Sequence, residues 1–374
     1  MDTFTRAKED ACPGVFATHD AADGALARVR LPGGAVSAEQ LKVLAGCADA
    51  LGDGAAHLTS RGNIQLRGLG RNTPLISRLS AAGLLPSPAH ERVRNILASP
   101  RSPLARELAA DLDQALCARP GLAKLPGRFL FALDDGTGDV SGEGVDVCWR
   151  APGALLLDGV DTGFRVGAEQ AVEALLRLAE AFLAVRGTVW RVRELADRAP
   201  LLDAVRGWAS EVQPVEMPVS PGLPIGPTPH GIGVAPVFGR LTSAQLRLLA
   251  ELSGRIVVTP WRSLLLPGVS GDALGTLAES GLVVDPDAVS PGVTACIGHP
   301  GCAKSRADVR ADASRVLSRL PAGLRAHFSG CERRCGKPSA EHTDVLAEGG
   351  GYRVDEVWIP TAELADSLVQ KGSE

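Results

Sequence analysis

No stretch of this sequence approaches eighteen consecutive apolar residues, so no membrane-spanning helix is expected. Basic residues do not outnumber acidic ones: 39 Lys and Arg stand against 43 Asp and Glu, a net charge of −4. That balance gives no general signature for nucleic acid. The opening residues Met1 to Arg6 lack the apolar core of a secretory signal, so a reducing, cytoplasmic setting is expected. No glycine-rich fingerprint follows a clear strand, which removes the usual support for a nicotinamide or flavin site. Repeats of short solenoid period are missing as well. What remains is a chain of 374 residues, 45% hydrophobic, long enough for two or more lobes with true cores.

Four of the eight cysteines gather near the C-terminus, as Cys296-Ile-Gly-His-Pro-Gly-Cys302 and Cys331-Glu-Arg-Arg-Cys335. Four thiolates from two short loops can hold a [4Fe-4S] cube, one per iron. Gly298, Pro300, Gly301 and Gly330 let backbone wrap a bulky group closely. Structural zinc is the first competing reading, but it favours C-x2-4-C pairs and the first gap here is five residues. Disulfides are the second, and they do not suit a reducing compartment. Cys12, Cys47, Cys117 and Cys148 are scattered and read as core residues or free thiols.

The chain also repeats itself at a period of about 200 residues. Ser37 to Ala45 resembles Thr242 to Ala250, each reading as a helix opened by a hydroxyl cap. His57 to Leu66 resembles Val257 to Leu266, each reading as two strands about a turn. Ala82-Gly83-Leu84-Leu85 resembles Ser280-Gly281-Leu282-Val283, each closing a second helix on glycine. The unit is β-α-β-β-α, half of a ferredoxin-like fold, whose open edge and apolar face a second copy would cover. Beyond it, Ser99 to Pro103 sits where His299 to Cys302 sits in the second copy. Ala132 to Gly136 corresponds roughly to Phe328 to Cys331. Only the second copy carries thiols. The expected organisation is a half-domain at 15–85, an α/β lobe at 90–211, a proline-rich linker at 212–229, a second half-domain at 230–285 and a cluster lobe at 290–374. The linker holds Pro214, Pro218, Pro221, Pro224, Pro227 and Pro229, so it reads as an extended connector. Ala168 to Val185 and Leu201 to Trp208 read as helices before it.

These parts, in this order, resemble the sulfite and nitrite reductase family. The resemblance implies an α+β fold: two ferredoxin-like half-domains and two pseudo-symmetric α/β lobes, one holding a [4Fe-4S] cluster on Cys296, Cys302, Cys331 and Cys335. It implies a tetrapyrrole beside the cluster, gripped at its carboxylates. Arg61 and Gln65 match the family's R-x-x-x-Q strand, Arg94, Asn95 and Ile96 its R-N-[VI] segment, and Arg128 its L-P-x-K-F segment. Arginine suits that task because its planar fork matches a carboxylate.

Leu130 is a departure, standing where the reductases carry a second basic residue. The strings Thr294 to Lys304 and His327 to Pro338, with Phe131-Ala132-Leu133-Asp134-Asp135-Gly136, resemble the precorrin-3B synthase branch of the family more closely. That resemblance implies an oxygenase taking precorrin-3A and O2, with hydroxylation at C20 and γ-lactone closure. The implied cofactors are the [4Fe-4S] cluster and a mononuclear non-haem iron, and a separate reductase or ferredoxin would supply electrons. Sirohaem belongs to the alternative, a sulfite or nitrite reductase. A plain iron–sulfur electron-transfer protein is the third reading, and it leaves Arg61, Arg94 and Arg128 without a role. The sequence singles out no ligands for the second iron and no catalytic residue. Asp134 and Asp135 read as iron ligands or as a turn, and His299 and His327 as ligands, donors to the cluster sulfurs or ordinary polar residues.

Overall fold

The computed structural model describes residues 12–70, 73–220, 222, 225–338 and 340–372. Met1 to Arg6, and Pro221 and Pro224 of the linker, lie outside the described residues. Both repeat units fold as read. Ser37 caps helix Ala38–Leu51, and Thr242 caps helix Ser243–Leu252. Each cap is a reciprocal box, closed by Gln40 in the first and Gln245 in the second. The two helices pack on one another. The second helices, Leu75–Ala81 and Leu274–Glu279, run out into Gly83 and Gly281, both in the left-handed region.

Each half-domain lends one strand to the other. Strand Arg240–Thr242 of the second copy pairs with Ala55–Leu58 of the first, and Ala35–Ser37 of the first pairs with Arg255–Val258 of the second. The result is two five-stranded antiparallel sheets that share one apolar core, with Val29, Leu41, Ile64 and Leu66 from one side and Val234, Leu246, Leu264 and Leu266 from the other. This exchange closes the edges that an isolated half would expose.

The two lobes also repeat each other. In the first, strands Ile96–Ala98, Phe131–Asp134 and Val147–Arg150 are parallel, followed by antiparallel Ala154–Leu157 and Val160–Arg165. In the second, Val293–Ala295, Ala326–Ser329 and Thr343–Glu348 are parallel, followed by antiparallel Gly351–Val354 and Val357–Pro360. Helices Pro103–Cys117 and Ala168–Val185 cover the first sheet, and Val309–Leu317 and Leu364–Lys371 the second.

Two expectations need correction. The helix read over Leu201 to Trp208 spans only Ala199–Asp203. Trp208 instead lies under the Arg177 guanidinium, 4.9 Å from ring centre to Cζ. The linker is extended along 212–219, tied by Val212 N–H to the Gly163 carbonyl and by Val215 N–H to Asp161. Its end is not connector, because Gly226–Thr228 is already an edge strand of the second half-domain. Pro227 is tolerated there because an edge strand leaves alternate N–H groups unused.

Candidate functional site

The first sheet turns its Val29, Ile64 and Leu66 face to the core, so by strand alternation the opposite face carries Arg28, Gln65 and His57. Register aligns them in one row: Arg28 opposite Gln65, Gln65 opposite His57, His57 opposite Arg240. Arg30 and Arg67 extend the same face and are buried. This row faces the lobes. Arg67 closes a bidentate pair with Asp23 at 2.9 and 3.0 Å and donates to the Gly301 carbonyl at 3.0 Å, which fastens the first cysteine loop to the sheet. Arg310, from the second lobe, donates to the Cys296 carbonyl at 3.1 Å.

Packing this many cations away from water lowers their proton affinity. Burial, then Arg28, pulls Arg30 down to about 9. Burial, then Arg191, pulls Arg61 to about 10. Arg310 falls to about 10, again chiefly through burial. All three stay charged at neutral pH, and the buried Nε–H of Arg30 donates to no acceptor among the described residues. A concentration of buried positive charge of this kind is chemically suited to a polyanion.

The three basic segments singled out in the sequence meet at a single atom, the Gly127 carbonyl. Arg61 Nη1 donates to it at 3.3 Å and Asn95 Nδ2 at 3.0 Å. Beyond that point their fates differ. Arg61 is mostly buried among like charges. Gln65 is half-buried in the basic row. Arg128 is exposed and stacks over Trp190 at 5.2 Å. Asn95 is fully buried and spends its amide on Gly127 and Arg92, with Asn63 donating to its oxygen. Arg94 is held differently. Its fork closes on Asp113 at 2.6 and 2.7 Å, and its remaining nitrogen donates to Leu84. That guanidinium is internally satisfied and is a structural pair. Ile96 is core.

The four C-terminal cysteines are unpaired and stand together. Cys335 is raised by burial first and then by Cys296, Cys331 and Cys302, so all four thiols feel one another. Cys296 Sγ accepts the Gly330 N–H at 3.2 Å. Arg262, from the second half-domain, donates to the Gly336 carbonyl at 2.8 Å and pins the second loop. The thiols do not make a nest for one ion. Among the described residues, the only group of three or more His, Cys, Asp or Glu side chains whose ligand atoms lie within 4.8 Å of one another is Asp134, Asp135 and Asp139. His299 is exposed. His327 is buried, bonded to Thr294 at 2.8 Å and pushed down to about 4 by burial and then Arg262.

The acidic trio answers the question left open for Asp134 and Asp135. Asp134 accepts backbone N–H groups from Gly136, Gly138, Val140 and Ser141, and Arg150 lies 3.6 Å away. Asp135 takes the Thr137 N–H and hydroxyl. This is a turn built by carboxylates, with its lone pairs already spent. The trio does not fit an iron centre.

With this geometry in place, comparison with known proteins assigns the frame. The family described as nitrite/sulfite reductase ferredoxin-like half domain matches residues 19–73 and 226–280, the two exchanged halves. Residues 19–73 and 226–280 are thus two nitrite/sulfite reductase ferredoxin-like half-domains. It is similar to a precorrin-3B synthase from Sinorhizobium sp, 26% identical over 94% of this chain and 83% of that protein. It is similar to a ferredoxin–nitrite reductase from Synechococcus elongatus, 28% identical over 88% of this chain and 77% of that protein. A ferredoxin sulfite reductase from Mycolicibacterium paratuberculosis is 28% identical, and the chain spans 62% of its length. The solved structure of the Mycobacterium tuberculosis NirA protein shares the fold, with a TM-score of 0.72, 20% identity and coverage of 91% of this chain and 79% of that one. Among the described residues no helix is long and apolar enough to cross a membrane.

Sequence reading missed Arg28, Arg30, Arg67, Arg191, Arg240, Arg310 and the Asp53–His57 pair. The signal was there for three of them: Arg28-x-Arg30 and Gln65-x-Arg67 alternate with core residues, which places them on one face opposite the core. Arg191, Arg240 and Arg310 come from distant segments and carried no such sign.

Proposed function

We propose that this protein is an iron–sulfur oxidoreductase acting on a carboxylate-rimmed tetrapyrrole. In its sharper form it is an O2-dependent monooxygenase of the precorrin-3B synthase type, converting precorrin-3A to a C20-hydroxylated γ-lactone. The supporting observation is the thinning of free cations around Gly127. Leu130 is buried and apolar, and Arg94 is closed on Asp113. An enzyme that reduces a small oxyanion needs free cations at the reacting atom. One that binds a macrocycle needs cations at its rim, a role that Arg61 and Arg240 would fill. The Sinorhizobium precorrin-3B synthase also aligns with more of the chain than the two reductases described above.

Cys296, Cys302, Cys331 and Cys335 would hold a [4Fe-4S] cluster; they are soft donors, undisulfided, on glycine-bearing loops pinned by Arg67 and Arg262. When bound, the cluster supplies electrons one at a time. The chain's own work is positional. The arginine row binds carboxylates. The equivalent face of the second sheet, with Val257 and Leu265 packed under Trp261, offers an apolar wall. The Arg67 bond keeps the cysteine loop against the basic sheet, and the Arg310 bond ties Cys296 to helix Val309–Leu317 of its own lobe. For the mononuclear iron we assign no residues and route no step through it. A reduced ferredoxin or a separate reductase would serve as electron donor.

A sirohaem-dependent sulfite or nitrite reductase is the second reading, and it is favoured by number, since most of the similar proteins carry those names. The tetrapyrrole that co-purifies from corrinoid-producing cells separates the two. The oxygenase reading expects an iron-free precorrin or none. Stoichiometric sirohaem, seen in the visible spectrum, would refute it.

A further inference from the structure

Asp53 and His57 form a pair that neither the fold nor the arginine clamp explains. His57 Nε2 lies 2.8 Å from Asp53 Oδ2, and Asp53 also accepts the Ala55 N–H at 3.1 Å. The imidazole is 6% exposed, and its other nitrogen, Nδ1, has no partner. A buried polar atom left unpaired costs about 1–3 kcal/mol, so it points to a group that arrives from outside. The surroundings indicate which group. His57 sits in the middle of the basic row, opposite Gln65 and Arg240. Arg67 faces it from the neighbouring strand and Arg310 from helix Val309–Leu317, while Asp53 is the acid on its own side.

We propose that the Asp53–His57 pair is a proton-linked receptor for one carboxylate of the bound ligand. Asp53 holds the Nε2–H and fixes the ring, leaving a bare Nδ1 in the empty protein. When a carboxylate enters, Nδ1 takes one proton from solvent and donates it to that carboxylate as a charge-assisted hydrogen bond. No other bond changes. In the empty protein, burial and the cations Arg310 and Arg67 hold His57 below its ordinary value, and Asp53 offsets this only in part. An incoming anion offsets those cations and raises His57. Binding is therefore tightest at low pH and weakens as pH rises from the free toward the bound value. Such a receptor reads both the charge and the placement of a rim carboxylate. Its ligand class rests on the tetrapyrrole reading above.

The test is calorimetric titration of the purified holoprotein with uroporphyrin, a porphyrin polycarboxylate, in buffers of different ionisation enthalpy. Wild type should take up about one proton per ligand near neutral pH, with affinity falling roughly tenfold per pH unit through that window. His57→Gln should abolish the uptake and flatten the profile. Asp53→Asn should shift the window to lower pH, and it serves as the second variant if the glutamine variant does not fold. Uptake unchanged in His57→Gln, or a flat wild-type profile, overturns this proposal alone. No binding of uroporphyrin to wild type overturns it together with the tetrapyrrole reading.

Discussion

The two α/β lobes share one backbone frame and use it for opposite chemistry. In the second lobe Cys296 N–H donates to the Phe328 carbonyl at 2.9 Å, and Cys296 Sγ accepts the Gly330 N–H at 3.2 Å. In the first lobe Ser99 N–H donates to the Leu133 carbonyl at 3.0 Å, and Ser99 Oγ accepts the Asp135 N–H at 3.0 Å. Ser99 therefore stands where Cys296 stands, which corrects the looser alignment of Ser99 to Pro103 with His299 to Cys302. Around Cys296 the loop is open and sulfur-lined. Around Ser99 it is closed by Asp134, Asp135 and Asp139. The half-domains diverge in the same way. The row Arg28, Gln65, His57, Arg240 in one sheet is matched in the other by Gly233, Leu265, Val257, Ala35. Duplication preserved the hydrogen-bonding frame, and side chains then made one half polar and receptive and the other apolar.

The largest break in this comparison should come at the thiols. Cys331→Ala is expected to remove the cluster's visible absorbance and reduced-state EPR signal altogether. Cys148→Ala, at a buried core thiol of the first lobe, should leave both intact. A full cluster in the Cys331 variant would refute the ligand assignment.

Next is Arg94→Ala. Because it strands the partly buried Asp113 carboxylate, it should cost up to about 3–5 kcal/mol of stability. Denaturant unfolding reads this. A stable variant with weakened ligand binding would restore Arg94 to the clamp.

Arg61→Ala should instead spare the fold and weaken polycarboxylate binding. Losing a charge-assisted bond worth roughly 1.5–3 kcal/mol costs about one to two decades in affinity. Lysine should recover part of it, since the fork is lost. Unchanged binding of uroporphyrin by both variants would contradict the placement.

The smallest effect concerns the closed loop. Asp139 lies 2.5 Å from the Ser99 hydroxyl and is raised to about 6, mainly by burial. An acid raised in the folded state adds stability below its ordinary value near 3.8 and loses it as pH climbs through about 6. Asp139→Asn should therefore stabilise the protein by on the order of 2 kcal/mol above pH ~7 and leave it nearly unchanged below pH ~4. A pH-independent difference would contradict the assignment.

The duplication, the cysteine loops and the helix caps were legible because each is a local pattern. Ser37 with Gln40 and Thr242 with Gln245 announce their helices within four residues. The strand exchange was not legible, because Ala35–Ser37 finds Arg255–Val258 more than two hundred positions away and would satisfy its own half equally well by pattern. The fate of Arg94 was hidden too, since its partner lies on a separate element, helix Pro103–Cys117. Its motif suggested a clamp, and only packing brought Asp113 against it. His57 was passed over because one histidine carries no spacing; its meaning came from Asp53 and the arginines that folding set around it.

The central claim is that this frame serves oxygen insertion into a precorrin. Reduced protein incubated with precorrin-3A under 18O2, followed by mass spectrometry, tests it most directly. The expected product is heavier by one labelled oxygen atom and does not form without O2. Anaerobic turnover of sulfite or nitrite, with precorrin-3A recovered unchanged in the presence of O2, would contradict it.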